Sequence, residues 1–296
     1  MIQSILISIY NWQELFFSRR SLSFKRFRPI RALRRRFVNY VIRTYKKSFV
    51  EIEGRKMYLD QNDSLRLSFK KYDKFGEDFL KTQINEGDTI IDLGANIGYW
   101  TLFFAQLVGK SGKVFAFEPE PTLFEILKKN VEVNEFKNIT LIQKAVSNIS
   151  KKGKLFLSSN PNDHRIFDAT GTRNSINIDT ISLDEYFSSN DLQIDFIKSN
   201  IQGADFSAIE GSKNILEKSK NVKIMAEFSP FMLVEFNKNP EDFLDLLLDD
   251  DFFLYDLNRR ELKIIPIDKK LFLQKYAPEK INGTYLYASR SKLNSK

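Results

Sequence analysis

The stretch Thr89-Ile-Ile-Asp-Leu-Gly-Ala-Asn-Ile-Gly98 decides the fold of this chain, together with Phe115-Ala-Phe-Glu-Pro119. An apolar run ends in Asp92, two glycines follow, and a helical pattern begins at once. Twenty residues after Gly98, a second apolar run ends in Glu118. This order of strand, glycine turn, helix and strand is typical of a nucleoside-binding unit.

The spacing of the glycines indicates which nucleoside is bound. Gly94 and Gly98 form G-x-x-x-G, whereas a dinucleotide fingerprint has G-x-G-x-x-G, with a middle glycine that lets the backbone approach a pyrophosphate. Asn96 occupies that middle position. The turn therefore favours S-adenosylmethionine, which has no pyrophosphate, over a nicotinamide dinucleotide.

Two acids at strand ends are the natural polar contacts of such a cofactor. We expect Asp92 to meet the ammonium of the methionine tail, directly or through water. We expect Glu118 to accept hydrogen bonds from both ribose hydroxyls, which one carboxylate can do bidentately. Tyr99, at the start of the helix, is expected to help wall the pocket.

From residue 88 onward, apolar strand patterns alternate with amphipathic helices. This predicts an α/β fold with a mainly parallel, doubly wound sheet that binds ligands at the carboxyl ends of its strands. A polar loop over residues 158–175 interrupts the alternation and is expected to cover a site. The main predicted strands are 88–93, 113–118, 139–146, 194–200, 221–227, 252–257 and 283–289, and the helices are 97–108, 121–134, 183–188, 204–218 and 239–250.

The net charge of +8 is concentrated at one end of the chain. Residues 1–50 carry a net charge of +11, which leaves −3 for residues 51–296. A mildly acidic body argues against nucleic acid as a partner of the main domain. The chain has no cysteine and one histidine, which excludes disulfides, thiolate sites and multi-histidine zinc sites, so no metal site is predicted.

Three segments follow from these patterns. Residues 1–47 form a basic N-terminal extension with an amphipathic helix over 29–45. Residues 48–87 hold a hairpin and a helix that lead into the core, and residues 88–296 form a Rossmann-like domain.

The location of the protein rests on the N-terminal extension. Polar side chains interrupt residues 1–17, which are too short and too polar for a transmembrane helix. The positive charges follow the apolar part, unlike those of a signal peptide, so we expect a cytoplasmic protein. Two interpretations of the extension stay open: a poorly packed segment, or a helix that rests on an anionic membrane surface.

Several motifs in order, over about residues 85–260, resemble the FkbM-type methyltransferases: Ile91-Asp-Leu-Gly-Ala-Asn-Ile-Gly-Tyr99, Phe115-Ala-Phe-Glu-Pro119, Asn138-Ile-Thr-Leu-Ile-Gln-Lys-Ala-Val-Ser147, Asp163-His-Arg-Ile166, Thr180-Ile-Ser-Leu-Asp184, Asp195-Phe-Ile-Lys198 and Ile201-Gln-Gly-Ala204. The resemblance implies a class I methyltransferase fold and methyl transfer to a hydroxyl of a sugar, glycan or natural product. It also implies that the cofactor is lined by Gly94, Ala95, Asn96 and Gly98, that Glu118 holds the ribose, and that Lys144, Ala145 and Val146 border the adenine.

The chain departs from the family pattern at the end of the fourth strand. Asn200 stands where the family usually has Asp, and Gln202 stands where it usually has Glu. Amides can bind a hydroxyl or the cofactor, but they cannot act as a base. A second hypothesis is therefore a degenerate methyltransferase-fold module that binds without turnover.

A hydroxyl acceptor benefits from a general base, and the sequence offers few candidates. His164 has a suitable ordinary pKa and lies in the Asp163-His-Arg motif. Glu227 ends an apolar strand and is expected at the cofactor edge of the sheet. With Asn200 as a binding group, these two residues are the predicted catalytic set.

Overall fold

The computed structural model describes residues 36–37, 40–41, 44–68, 73–189 and 191–293. Contacts divide the chain into two compact units, Met1–Tyr72 and Asp73–Lys296. The division assigns the helix that begins at residue 74 to the second unit, whereas the predicted segment 48–87 groups it with the hairpin.

The first unit contains the predicted hairpin, formed by β1 (Phe49–Ile52) and β2 (Arg55–Tyr58), which pair antiparallel. All described residues between 36 and 45 are helical, in agreement with that part of the predicted helix over 29–45. The rest of that helix, and most of the segment 1–47, lies outside the described residues. In the described part of the chain, no helix has the length and apolar character needed to cross a membrane.

The second unit alternates strands and helices. Its strands are β3 (Thr89–Leu93), β4 (Lys113–Phe117), β5 (Ile139–Ile142), β6 (Ala145–Val146), β7 (Lys151–Phe156), β8 (Ser175–Ile181), β9 (Phe196–Ser199), β10 (Lys223–Phe228), β11 (Phe253–Asn258), β12 (Lys263–Pro266) and β13 (Thr284–Ser289). Its helices are α1 (Lys74–Leu80), α2 (Tyr99–Val108), α3 (Pro121–Val133), α4 (Leu183–Tyr186), α5 (Asp205–Glu210), α6 (Lys213–Lys218), α7 (Pro230–Glu235), α8 (Pro240–Leu248) and α9 (Lys269–Lys275).

Eight strands form the central sheet in the order β12-β11-β13-β10-β9-β3-β4-β5. Strands β5, β4, β3, β9 and β10 are parallel, and β13 pairs antiparallel with both β10 and β11. Strand β11 therefore runs parallel to the main set, with β13 reversed between them. The predicted mainly parallel α/β sheet is confirmed, and the carboxyl ends of β3, β4, β9, β10 and β11 share one edge with the start of β13.

Burial of the central strands accounts for their nearly continuous apolar sequences. All five residues of β3 and all four of β9 are buried, as expected for parallel strands covered on both faces. Many of the phenylalanines pack here: Phe206, Phe228 and Phe272 belong to one core cluster with Phe243.

Two predicted elements are split in the structure. The helix predicted over 204–218 is two helices, because Gly211 lies against the backbone of Ser147, and a Cβ at Gly211 would stand 2.5 Å from the Ser147 carbonyl oxygen. The strand predicted over 139–146 ends at Ile142, and Ala145–Val146 pairs with β8 in a separate three-stranded sheet. Helices α7 and α9 and strand β12 were not predicted from the sequence.

Candidate active site

The glycine turn after β3 has the backbone conformation that its sequence requires. Gly94, Asn96 and Gly98 have positive φ angles of 72°, 53° and 96°. A Cβ at Gly94 would stand 2.3 Å from the carbonyl oxygen of Asn200. Glycine at position 94 therefore allows this turn to pack against the end of β9.

A buried ion pair between β3 and β9 stabilises the start of this turn. The Nζ of Lys198 lies 2.9 Å from Oδ1 of Asp92 and donates to the carbonyl oxygens of Leu93 and Gly94, at 3.0 Å each. Thr101 donates to the other oxygen of Asp92 at 2.6 Å. Because Asp92 has no exposed surface, this geometry does not support the expected direct contact with the methionine ammonium. Instead, Asp92 pairs with Lys198, and the hydrogen bonds of Lys198 to the carbonyl oxygens of Leu93 and Gly94 stabilise the turn.

Glu118 stands at the end of β4 beside the same turn. Its Oε2 accepts from the backbone N–H of Asn96 at 2.8 Å, and its Oε1 accepts from that of Glu120 at 3.0 Å. Burial raises the pKa of Glu118 to about 7, against the lowering effect of these two hydrogen bonds. The two backbone N–H groups therefore orient the carboxylate. Because its pKa lies near neutral pH, a small change in its surroundings changes its charge.

The remaining predicted cofactor residues lie around this turn and past β5. The N–H groups of Gly94 and Ala95 both donate to the carbonyl oxygen of Phe117 at 3.0 Å, which brings the turn to the end of β4. Ala145 and Val146 are buried in β6 beyond β5, and Lys144 before them is half-buried. Tyr99 is buried in the core and donates its hydroxyl to Glu77 at 2.8 Å, so it presents little surface to a ligand.

A chain of polar side chains extends from the turn to the next strand. Asn200 Nδ2 donates to the hydroxyl of Tyr285. Gln202 Nε2 donates to Oδ1 of Asn200 at 2.9 Å and to Oε2 of Glu227 at 3.1 Å. Asn200 and Glu227, two of the three predicted catalytic residues, are thus joined by Gln202. The sequence singled out Gln202 only as a departure from the family, and gave no signal for Tyr285.

A cavity of about 320 Å³ opens at this edge of the sheet. Glu227 and Tyr285 line it, together with the turn 258–261 after β11 and residues 275–276 and 282–284. Burial, together with the nearby charge of Asp205, raises the pKa of Glu227 to about 8, against the lowering effects of Arg259, Lys198 and Arg165. A half-buried carboxyl with a pKa near 8 can give up or accept a proton close to neutral pH.

The polar loop 158–175 is tied to the glycine turn and to α7. Asn96 Nδ2 donates to Oδ1 of Asn162 at 3.2 Å. Further along the loop, Arg165 pairs with Asp163 at 2.7 Å and with Glu235 of α7 at 2.5 Å. The loop therefore bridges α7 and the glycine turn of residues 94–98, called the cofactor turn below.

His164 lies in this loop with one ring nitrogen already engaged. Its Nδ1 accepts from the backbone N–H of Ser158 at 3.0 Å. Burial lowers the pKa of His164, against the opposing effects of Glu120 and Asp163. In the neutral ring the proton is then on Nε2, which can donate a hydrogen bond but cannot accept a proton. This geometry does not support His164 as a base.

Comparison with known proteins gives the family. The model described as the methyltransferase FkbM domain matches residues 92–255, more than half of the chain. The chain belongs to the FkbM methyltransferase family. The sheet order and the family together make the fold that of a class I methyltransferase, as the sequence motifs imply.

Known relatives of this FkbM-family chain match it over limited lengths. The protein-L-isoaspartate O-methyltransferase of Methanococcoides burtonii is 37% identical over 65 residues, 22% of this chain and 31% of that protein. The hexuronic acid methyltransferase AglP of Haloferax volcanii is 27% identical over 139 residues, 47% of this chain and 55% of that protein. The structure of methyltransferase FkbM from Methylobacillus flagellatus is 17% identical, with a TM-score of 0.42, over 69% of this chain and 44% of that chain. The chain thus spans less than two thirds of each relative's length.

S-adenosylmethionine is the cofactor expected for the family, and the residues of the turn fit it. Each oxygen of Glu118 accepts one backbone N–H, and a carboxylate has about four acceptor positions, which leaves room for two ribose hydroxyls. Asn96, with its positive φ, donates its N–H to Glu118. The position that is glycine in a dinucleotide fingerprint therefore orients the carboxylate that is expected to bind the ribose.

Proposed function

We propose that this protein is an S-adenosylmethionine-dependent O-methyltransferase that methylates a hydroxyl of a saccharide or a similar polyhydroxylated acceptor. The observation that carries the proposal is the position of Glu227. This carboxyl lies in the wall of the 320 Å³ cavity and is linked through Gln202 and Asn200 to the backbone against which Gly94 packs. A continuous set of contacts therefore connects the cofactor turn, through Asn200 and Gln202, to Glu227 and the cavity.

In this proposal Glu227 is the general base. Its ionised form accepts the proton of the acceptor hydroxyl, and a pKa of about 8 makes it a stronger base than an ordinary carboxylate. Gln202 Nε2 donates to Glu227 and fixes the carboxyl. Asn200 is oriented by Tyr285 and Gln202, and we assign it the role of binding the acceptor oxygen.

The chemistry is an in-line displacement. When bound, S-adenosylmethionine supplies a methyl group on a sulfonium, and the electrons of the broken bond stay on sulfur as the acceptor oxygen gains the methyl carbon. The protein contributes alignment, which can be worth about 7–11 kcal/mol in well-oriented reactions, and removal of the hydroxyl proton at Glu227. A saccharide acceptor agrees with the name of the AglP relative, which acts on a hexuronic acid.

The test is methyl transfer from labelled S-adenosylmethionine to a saccharide library, with wild type and Glu227→Gln. The variant keeps the side-chain shape and loses the base, so we expect kcat to fall about 10²–10⁴-fold. Binding of S-adenosylhomocysteine should stay unchanged. Wild-type kcat/KM should rise with pH through about 8, where Glu227 ionises. Glu132→Gln, on the exposed face of α3, is the matched control.

The products separate this proposal from its alternatives. A methyl ether survives mild alkali, whereas a methyl ester on a carboxylate acceptor releases methanol. Binding of S-adenosylhomocysteine with no transfer to any acceptor in a cell extract would instead favour the binding module, which the amides Asn200 and Gln202 suggest. Contact of residues 1–47 with an anionic membrane stays a separate prediction, because residues 1–35 lie outside the described part of the chain.

A further inference from the structure

Two ion pairs beside the cavity each combine a partly exposed cation with a buried acid. Arg259 pairs with Asp73, and the Arg259 side chain is 35% exposed while that of Asp73 is 5% exposed. Lys275 pairs with Asp256 at 2.9 Å, and here too the cation is 40% exposed and the acid 3% exposed. In both pairs the cation lines the cavity and the carboxylate is buried behind it.

The buried acids are held in place by other groups. Asp256 also accepts from the hydroxyls of Thr284, at 2.6 Å, and Tyr276, at 2.9 Å. Arg259 lies over the ring of Tyr285, with its guanidinium carbon 3.9 Å from the ring centroid. These contacts therefore hold Asp256 behind Lys275 and hold Arg259 at the cavity wall.

A third cation comes from the turn between β11 and β12. Asn258 Oδ1 accepts from the backbone N–H groups of Arg260 and Glu261, at 3.1 Å each, and so sets the shape of the turn. Arg260 is exposed and lines the cavity. Among the residues that the structure describes, no acid forms an ion pair with its guanidinium. That guanidinium is available to a ligand and offers the planar pair of donors that suits a carboxylate or a phosphate.

The acids on the cavity surface do not cancel these three cations. Glu261 is exposed on the same turn. Glu227 carries a proton for most of the time at neutral pH, because its pKa is about 8. The cavity surface thus carries three cations against one ionised acid while Glu227 is protonated, and against two when Glu227 is ionised to act as the base.

We propose that the cavity binds a saccharide through an anionic substituent, a carboxylate or a phosphate, which Arg260 contacts with support from Arg259 and Lys275. This inference rests on the proposed function, since it names the class of its acceptor. The anionic group is a recognition handle, and a hydroxyl of the same sugar faces Glu227. Arg260 is the specificity-determining residue, because it is the cation whose charge is not shared with a buried acid.

The test uses saturation-transfer NMR to measure the binding of three probes to the protein loaded with S-adenosylhomocysteine. The probes are glucuronate, glucose 6-phosphate and methyl glucoside. We expect at least one anionic sugar to bind more tightly than the neutral one, and NaCl to weaken that binding by screening. Arg260→Gln should weaken it about tenfold, as loss of one charge-assisted hydrogen-bonded pair predicts. The two anionic probes distinguish a carboxylate from a phosphate handle.

Two further variants sharpen the outcome. Lys270→Gln removes the same charge from an exposed residue of α9 that does not line the cavity, and should leave anion binding unchanged. Glu261→Gln removes the opposing charge and should strengthen it. Equal binding of all three probes, or an Arg260→Gln variant that binds the anions as well as wild type, would overturn the inference. Tight anion binding without methyl transfer to any acceptor would instead contradict the proposed function and leave this inference standing.

Discussion

Glu118 shows how far a single residue can be predicted and tested. Its two oxygens are already oriented by backbone N–H groups, so replacing it by Gln keeps the shape but substitutes an amide N–H for one acceptor. We expect affinity for S-adenosylhomocysteine to fall about a hundredfold, because two charge-assisted hydrogen bonds to the ribose are lost or weakened. Calorimetry measures this directly. Glu125→Gln, exposed on α3, is the control, and equal affinities of the two variants would contradict the assignment.

Asp92 shows where prediction from single residues ends. Its position at a strand end is correct, but its partner is Lys198 on the next strand, and its side chain points into the protein. The sequence contains no signal for that choice, because an acid before a glycine turn can face either a ligand or a neighbouring strand. Lys198 was visible only as part of a family-like motif.

At the scale of elements, the pairing of β3 with β9 carries the cofactor turn. Asp92 and Lys198 are directly opposite in the register of these two strands. Lys198→Met would leave a fully buried carboxylate without its cation, and we expect the free energy of unfolding to fall by about 3–5 kcal/mol. Urea unfolding measures the loss. Asp92→Asn together with Lys198→Met should recover most of it, because no unpaired charge remains, and an unchanged single variant would refute the argument.

The element boundaries that the sequence misplaced share one physical cause. The periodicity over 204–218 is helical throughout, but Gly211 has to accommodate the backbone of Ser147, which is distant in sequence. In the same way, the turn after β11 is polar and looks like an ordinary connection, although the sheet order places it at the ligand edge. Local patterns predict the elements, and contacts between distant segments decide where they end and which turns reach the site.

For the whole molecule, buried carboxyls at the site predict a loss of stability at high pH. The pKa of Glu118 is raised to about 7 and that of Glu227 to about 8, from an ordinary value of 4.5. The folded state then keeps protons that the unfolded state has released, so this stability is present below about pH 4.5 and is lost as the pH rises through 7 and 8. At about 1.4 kcal/mol per pKa unit, we expect a loss of up to about 8 kcal/mol from the two shifts together.

The measurement is the free energy of unfolding from pH 5 to pH 9 for wild type and Glu227→Gln. The variant has no proton to lose at this position, so its stability should decline less and should exceed that of wild type at pH 9. Parallel pH profiles for the two proteins would show that Glu227 has an ordinary pKa in the folded state.

The part of the chain that the family model matches differs from the part that forms most of the cavity wall. The cofactor turn, its ion pair and Glu227 all fall within residues 92–255, the stretch that the family model matches. Most of the cavity wall comes from residues 258–285, after that stretch has ended. In the proposed function, substitutions at Arg260 or Lys275 can therefore change the acceptor without touching the ion pair of Asp92 and Lys198. Under the proposed function, the family identifies the methyl donor, and residues 258–285 contribute most of the proposed acceptor site.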